Sequence, residues 1–330
     1  MSYIFFFFFL LSGTILSISS SSWFGAWIGL ELNLMSFIPL ISMKMNPYFS
    51  EAALKYFLIQ ALASTFIIMS SCLFLSIYNI SFFLILTAFL LKLGAAPFHF
   101  WFPQVMEGLH WLQTIILMTI QKLAPMFLLS YLMYSPILIK IIILSAILSA
   151  LVGALGGLNM MKLRKIMAFS SINHMSWMLI AITTNEMLWL MYFLFYSLIS
   201  SSAVIMFHNF QMYTISDLVA PTVSSPLMKI LIPLSLLSLG GLPPFSGFIP
   251  KWMMIQMMIM NNMFIPLMFL LISTLLTLYF YLRILIPFFL LLNPVLSFNM
   301  KFNFNMSPLY GFLLMLNLLG LLFPLSFLYI

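Results

Sequence analysis

The sequence predicts an all-α, polytopic membrane protein of about eleven transmembrane helices, arranged as two inverted five-helix repeats with breaks in helices 4 and 9. Three observations carry this. Hydrophobic residues make up 64% of the chain and charged ones 5%, where a soluble domain is roughly 25% charged; mean hydropathy is +1.19. The 330 residues, at ~20 per span plus short loops, hold about eleven crossings. Finally, the pattern Gly-x-x-Pro-Phe-x-x-aromatic-x-Pro occurs twice inside apolar stretches. It falls on Gly94, Pro97, Phe98, Trp101 and Pro103, then on Gly241, Pro244, Phe245, Phe248 and Pro250.

Hydropathy and helix breakers place the spans in order. Helix 1 covers about 3–20, because Ile4–Leu11 is apolar and has neither a basic region before it nor an Arg-rich presequence. Helix 2 covers about 23–42 with Glu31 at its centre, and helix 3 about 51–76, with Ser50 as N-cap. Helix 4, about 80–106, holds the first break; helix 5, about 109–133, carries Lys122 and Pro125. Helix 6, about 137–158, ends in a small-residue packing seam at Gly153–Gly157, with no Gly-Lys-Ser/Thr to make it a phosphate loop. Helix 7, about 166–184, follows the basic cluster Lys162, Arg164 and Lys165, and helix 8 runs about 187–212. The second break lies in helix 9, about 227–260, followed by helix 10, about 264–292, and helix 11, about 308–329. The long polar stretches are Asn209–Ser225 and Asn293–Ser307, so the whole chain, 1–330, reads as one integral-membrane domain.

If helix 4 corresponds to helix 9, the repeating unit has five crossings. An odd number forces the second copy to enter the membrane upside down, giving repeats at about 1–133 and 137–292 with the last helix left over. A proline inside a membrane helix removes a donor and bends the segment. Matched interruptions in two halves point to an ion or substrate pathway. Loops after even-numbered helices hold Lys44, Lys162, Arg164, Lys165 and Lys301, while those after odd-numbered ones hold little beyond Lys140. The N-terminus is thus expected on the positive-inside face and the C-terminus opposite.

Charges near the bilayer centre cost ~2.5–3.5 kcal/mol on insertion scales, so each needs a reason. Glu31 is flanked by Leu30 and Leu32; Lys92 precedes the first break; Lys122 is central in helix 5; Lys251 follows the second break. They can satisfy one another only across helices. A buried lysine whose pKa is lowered by desolvation and raised by a nearby carboxylate has a protonation state that depends on the partner's distance. That suits proton movement; a fixed salt bridge holding helices together is the alternative reading. Lys55, four residues after Glu51, is equally an ordinary surface pair. His174 can relay protons near neutral pH or simply pack. Lys44 and Lys140 snorkel from span ends, His99 and His110 suit interfacial anchoring, and Arg283 suits lipid or neighbouring backbone.

Composition excludes other classes. Cys72 is the only cysteine, which rules out a disulfide framework, a Cys-rich iron–sulfur site and a c-type haem attachment. No His/Glu/Asp spacing supports a metal, and the +7 net charge is scattered in a way that does not suggest nucleic acid. The abundance of Phe (36) and Met (29), with arginine only at Arg164 and Arg283, fits an AT-rich genome and synthesis inside an organelle.

Several segments together resemble the chain 2 family of NADH–ubiquinone oxidoreductase, in its mitochondrially encoded, insect-like form. They are Trp27–Asn33, Glu51–Phe57, Lys92–Trp101, Gln121–Pro125, Gly156–Asn159, Leu163–Lys165 and Ser238–Pro244. The resemblance covers nearly the whole chain in one order and thins over about 213–225 and 293–307. It implies an antiporter-like membrane-arm subunit of respiratory complex I with two inverted half-channels. On that basis Glu31 looks like the partner of Lys92, Lys55 and Lys122 like members of a central polar chain, and Lys251 like the exit-side lysine. The resemblance also implies that this chain itself binds no cofactor. NADH, FMN, iron–sulfur clusters and ubiquinone are expected in the assembled complex. The implied partners are other membrane-arm and accessory subunits and phospholipids including cardiolipin, with no nucleic acid. The implied location is the mitochondrial inner membrane, N-terminus to the matrix and C-terminus to the intermembrane space. A stand-alone cation/proton antiporter and a purely structural spacer are the competing classes.

Overall fold

Each of the first ten apolar runs becomes helix in the computed structural model, which describes residues 2–42, 46–74, 78–133, 135–219, 226–291 and 317–318. Numbered by the crossings that the sequence predicts, three unbroken helices come first: α1 (Ser2–Ser19), α2 (Trp23–Ser42) and α3 (Pro47–Leu73). The fourth is split into α4 (Tyr78–Leu93) and α5 (Trp101–Glu107), and the fifth into α6 (Trp111–Met118) and α7 (Ile120–Ser130). Then follow α8 (Pro136–Gly157), α9 (Leu163–Thr184) and α10 (Glu186–Asn209), and a short α11 (Ile215–Val219). The ninth crossing is α12 (Pro226–Gly240) with α13 (Phe248–Met260), and the tenth is α14 (Phe264–Leu291). Seven helices, counting Trp111–Ser130 as one, are long and apolar enough to cross a membrane by length and composition. Among the described residues no strand forms, only a single antiparallel bridge between Lys162 and Thr214. Lys44, Lys301 and, except for 317–318, the expected eleventh helix lie outside the described residues.

Three local expectations are corrected. α3 starts at Pro47 with Asn46 as N-cap, since proline's fixed φ suits the first helical position; Ser50 lies inside the helix, its hydroxyl donating to the Pro47 carbonyl at 2.9 Å. The fifth crossing is interrupted at Thr119 (φ −112°, ψ −80°), whose hydroxyl donates to the Ile115 carbonyl at 2.7 Å. Within the polar stretch after α10, Ile215–Val219 forms the short helix α11. There the Asp217 carboxylate accepts the Tyr213 and Thr214 amides at 2.9 and 2.8 Å. Burial raises its pKa, but these donors outweigh it and hold Asp217 below the ordinary 3.8.

Segments after the second, fourth, sixth and eighth crossings meet at one end of the bundle. Gly108 packs against Ala52 and Tyr48, and Glu107 pairs with Lys162 and, at 2.7 Å, with Lys165. The Leu163 amide donates to the Tyr213 carbonyl at 2.9 Å, and the Trp111 indole to Met212 at 3.1 Å. Burial acts to raise the Glu107 pKa, yet the two lysine ammoniums win and keep it lowered. Arg283 reaches this end too, donating to the Leu158 carbonyl, the backbone alternative among those its sequence position left open.

Two apolar clusters fill the interior, each drawing on both halves of the chain. Along the crossings, the changeover from one cluster to the other falls at polar side chains. In α2 it falls between Leu30 and Leu34, at Glu31 and Asn33; in α3 between Tyr56 and Ile67, at Gln60 and Ser64. In the fifth crossing it falls at Gln121 and Lys122, and in α9 at Asn173 and His174. In α2, the fifth crossing and α9 these positions lie about ten residues, or ~15 Å, from either helix end, and in the longer α3 Gln60 is also central, which is mid-depth in a ~30 Å hydrocarbon core.

Candidate functional site

Both breaks begin with a glycine in the left-handed region, where a side chain would be strained: Gly94 (φ +68°) and Gly241 (φ +77°). Each follows the last residue of an upstream half-helix. The motif aromatics Trp101 and Phe248 each open the downstream half. Upstream ends leave carbonyls without helical donors, and side chains take them up. In the first break the Gln60 amide donates to Lys92 O at 3.3 Å and the Trp101 indole to Leu91 O at 3.1 Å. In the second, the Lys251 ammonium donates to Gly240 O at 2.8 Å. Here also the Ser246 amide donates to Asn317 O at 3.1 Å, and the Ser238 hydroxyl to Asn317 Oδ1 at 2.7 Å.

Lys92 lies in the last turn of α4, and Lys251 reaches the last carbonyl of α12. The Lys251 ammonium therefore meets the negative end of a half-helix, and Lys92 belongs to the last turn of another, a placement worth up to ~2 kcal/mol in partly buried sites. Lys122, in the first turn of α7, has no carboxylate within 4 Å among the described residues and no helix C-terminus. Its Nζ stands 5.0 Å from the Phe102 ring centre and 5.3 Å from that of Tyr196, and donates to the Tyr196 hydroxyl at 3.5 Å. Lys92, Lys122 and Lys251 are buried, at 7%, 3% and 6% exposure.

A cavity of about 20 Å³ is lined by both Lys92 and Lys122, together with Asn33, Tyr56, Gln60 and Gln121. That is room for about one water among several polar partners. Gln121 donates to Asn33 Oδ1 at 2.7 Å and accepts from the Tyr56 hydroxyl at 3.1 Å. Beyond Lys122 lies His174, buried, with Nδ1 3.0 Å from the Tyr192 hydroxyl and the Leu239 carbonyl as a second partner. Lys122 and Lys251 both lie close enough to act on its charge. Lys92, Lys122, His174 and Lys251 thus form one buried row from the first break to the second.

Glu31 is partly buried, and its charge reaches Lys92 and Tyr56. It makes no ion pair within 4 Å among the described residues. Lys55 does not join the row. Its ammonium pairs with Glu51 at 2.6 Å and its side chain is 41% exposed, because one helical turn places both groups on the outer face of α3. His99 is buried beside the first break, its Nδ1 3.2 Å from Pro97 O. No group of three or more His, Cys, Asp or Glu side chains is placed to hold a metal among the described residues. Sequence reasoning missed Tyr56, Tyr192, Tyr196, Asn33 and Gln121. The available signal for two of them was the i,i+4 spacing of Tyr192 and Tyr196 within an apolar run.

Two broken helices, each with a buried lysine at its exposed backbone, and a wet-sized cavity between ionisable groups define a membrane protein of the ion-translocating, antiporter-like class. A family model described as NADH:quinone oxidoreductase/Mrp antiporter, TM, matches residues 20–80 and 75–277. The NADH-ubiquinone oxidoreductase chain 2 of Anopheles gambiae is 50% identical over 305 residues, covering 90% of this chain and 88% of that one. Its counterpart in Aedes aegypti is 48% identical over 287 residues, covering 84% and 83%. The chain belongs to the NADH-ubiquinone oxidoreductase chain 2 family. Its fold is shared with a chain of respiratory complex I from Thermus thermophilus with bound Aureothin, at a TM-score of 0.84 and 24% identity, over 98% of this chain and 79% of that one. A chain of the membrane-bound sulfane sulfur reductase, an archaeal respiratory membrane complex, superposes at 0.85 and 16% identity, over 98% and 73%.

Proposed function

We infer that this chain is a core membrane-arm subunit of respiratory NADH:ubiquinone oxidoreductase that carries one proton-translocation pathway. The redox chemistry, with NADH, FMN, iron–sulfur clusters and ubiquinone, belongs to other subunits of the assembled complex. The observation that carries the reading is the buried row Lys92–Lys122–His174–Lys251, strung between two helix breaks and joined at its first step by a polar cavity. A change at the neighbouring subunit alters the field of Glu31 on Lys92. Lys92 then gives or takes a proton, which passes through the cavity to Lys122, on to His174, and from there to Lys251 and the far side. Bringing a carboxylate within ~4–6 Å of a lysine shifts its pKa by ~1–3 units, or ~1.4–4 kcal/mol, enough to switch occupancy. Lys55 has a place only at the mouth, on the wall of a 530 Å³ surface cavity that also includes Glu107 and Arg164.

The architecture proposed is one integral domain of eleven crossings in two inverted repeats. Matched close approaches support it: a Cβ at Gly13 would meet Asn33 N at 2.9 Å, and one at Gly153 would meet Asn173 N at 2.7 Å, both residues shifted by 140 positions (13 to 153, 33 to 173). Gathering of the segments after the fourth, sixth and eighth crossings at one end, with Lys162, Arg164 and Lys165, supports placing the N-terminus on the matrix side of the mitochondrial inner membrane. Anionic phospholipids, cardiolipin among them, suit that basic rim. Lys92→Met or Glu31→Gln, introduced into the assembled complex, is expected to cut proton pumping and coupled NADH oxidation together. Normal turnover and normal proton stoichiometry in both variants would refute the assignment.

A further inference from the structure

The step from Lys122 to His174 is not direct. The hydroxyl that receives the Lys122 ammonium is Tyr196, at 3.5 Å, while the hydroxyl bonded to His174 is that of Tyr192, at 3.0 Å from Nδ1. These tyrosines are one helical turn apart on α10, so their side chains stack on the same face. Both are buried, at 3% and 1% exposure. A second cavity, of about 10 Å³, is lined by Tyr192, Tyr196, His174 and Ser238 together with apolar groups, and its volume is at the lower limit for one water. The Tyr196 ring also lies 5.1 Å, centre to centre, from the His174 ring.

We propose that Tyr196 and Tyr192 form a phenol relay that carries the proton from Lys122 to His174, with one water seated between the two hydroxyls. The inference rests on the pathway reading above and names groups which that reading does not use. The transfer balances without an oxidant or a free phenolate. An N–H proton of the Lys122 ammonium passes to the Tyr196 oxygen as the Tyr196 O–H proton passes to the water. The water hands a proton to the Tyr192 oxygen, and the Tyr192 O–H proton moves to Nδ1 of His174. One proton enters and one leaves; both tyrosines end neutral, Lys122 ends as an amine and His174 as an imidazolium. The transfer requires the His174 tautomer whose Nδ1 is free to accept from the Tyr192 hydroxyl.

Tyr196→Phe keeps the ring under Lys122 and removes only the hydroxyl. In the assembled complex, reconstituted in sealed vesicles, proton pumping per unit enzyme is expected to fall about ten-fold. This is less than the ~10²-fold typical for losing a proton-transfer group, because the vacated space admits a poorly held water. The solvent deuterium isotope effect on coupled NADH oxidation should rise in the same variant, a change that mere loss of packing would not produce. Lys122→Met is the control. Normal pumping and an unchanged isotope effect in Tyr196→Phe, with pumping lost in Lys122→Met, overturn the relay and leave the pathway standing. Normal pumping in Lys122→Met overturns the pathway and the relay with it. Should Tyr196→Phe fail to assemble, a high-resolution map of the unaltered complex decides. Ordered water bonded to both hydroxyls supports the relay, and a gap closed by apolar side chains overturns it.

Discussion

Lys122 holds a charge at mid-depth with aromatic faces and one phenol for company. An ammonium there costs ~2.5–3.5 kcal/mol on insertion scales, and a desolvated cation–π contact returns about 2 kcal/mol. The two nearly offset, so neither the charged nor the neutral lysine dominates the packing, which is what a site that is loaded and emptied requires. Lys122→Met removes the cost and the contact together. Its thermal unfolding in the assembled complex should be unchanged or slightly raised, while proton pumping falls about ten-fold or more. A parallel loss of stability and pumping, read by melting curves beside vesicle acidification, would instead mark Lys122 as a packing residue. The lysines were legible because a charge inside an apolar run stands out against its neighbours. The tyrosines were not: among 36 phenylalanines a buried phenol reads as more of the same, and only tertiary contacts show where its hydroxyl points. Lys55 stayed open for the opposite reason. A lysine within a span looks central in one dimension, and its pairing with the carboxylate one turn earlier is decided only when the helix face is known.

At the scale of elements, the breaks convert helix ends into binding groups. Gly94 and Gly241 let the chain turn out of α4 and α12, so that the C-terminal carbonyls face polar side chains instead of the next helical turn. The two glycines are not equivalent. A Cβ on Gly241 would come within 2.8 Å of both Cδ and Nζ of Lys251, whereas one on Gly94 would meet Phe102 Cβ at 3.2 Å and the Phe102 and Trp101 rings at 3.4 Å. Alanine at either site incurs the left-handed penalty of ~1–2 kcal/mol. Gly241→Ala should in addition push the Lys251 ammonium off the Gly240 carbonyl. Both variants are therefore expected to lower melting temperature similarly, with proton pumping falling more in Gly241→Ala than in Gly94→Ala. Equal pumping losses would show that the Lys251–Gly240 contact has no part in transfer. The breaks were readable to the residue because glycine and proline act locally on the backbone. The interruption at Thr119 was not, since threonine carries no backbone signature of its own and its bond to Ile115 is one of many that a threonine in a helix can make.

For the whole molecule, the polar seam between two apolar clusters joins residues from the second, third, fifth, seventh and tenth crossings at one depth. In α2, Asn33 bonds Gln121 of α7; in α9, Asn173 bonds Ser273 and Thr277 of α14. Under the proposed repeat, each half ties its second crossing to its fifth through a buried asparagine, and the tie in each case lies beside an ionisable group, Lys122 or His174. Such an arrangement makes sidedness testable, because inverted halves require alternate loops to face opposite compartments. With Cys72 replaced by serine, Met161→Cys reports the loop after the sixth crossing and Met187→Cys the start of the eighth; both methionines are exposed, at 60% and 71%. In assembled complex within sealed inner-membrane vesicles, a membrane-impermeant thiol reagent should label the cysteine at 161 only when the matrix face is outward. The cysteine at 187 should be labelled only when the opposite face is outward. Labelling of both from one side would break the alternation on which inverted half-channels depend, and exchange of the two patterns would reverse the orientation of the chain while leaving its fold intact.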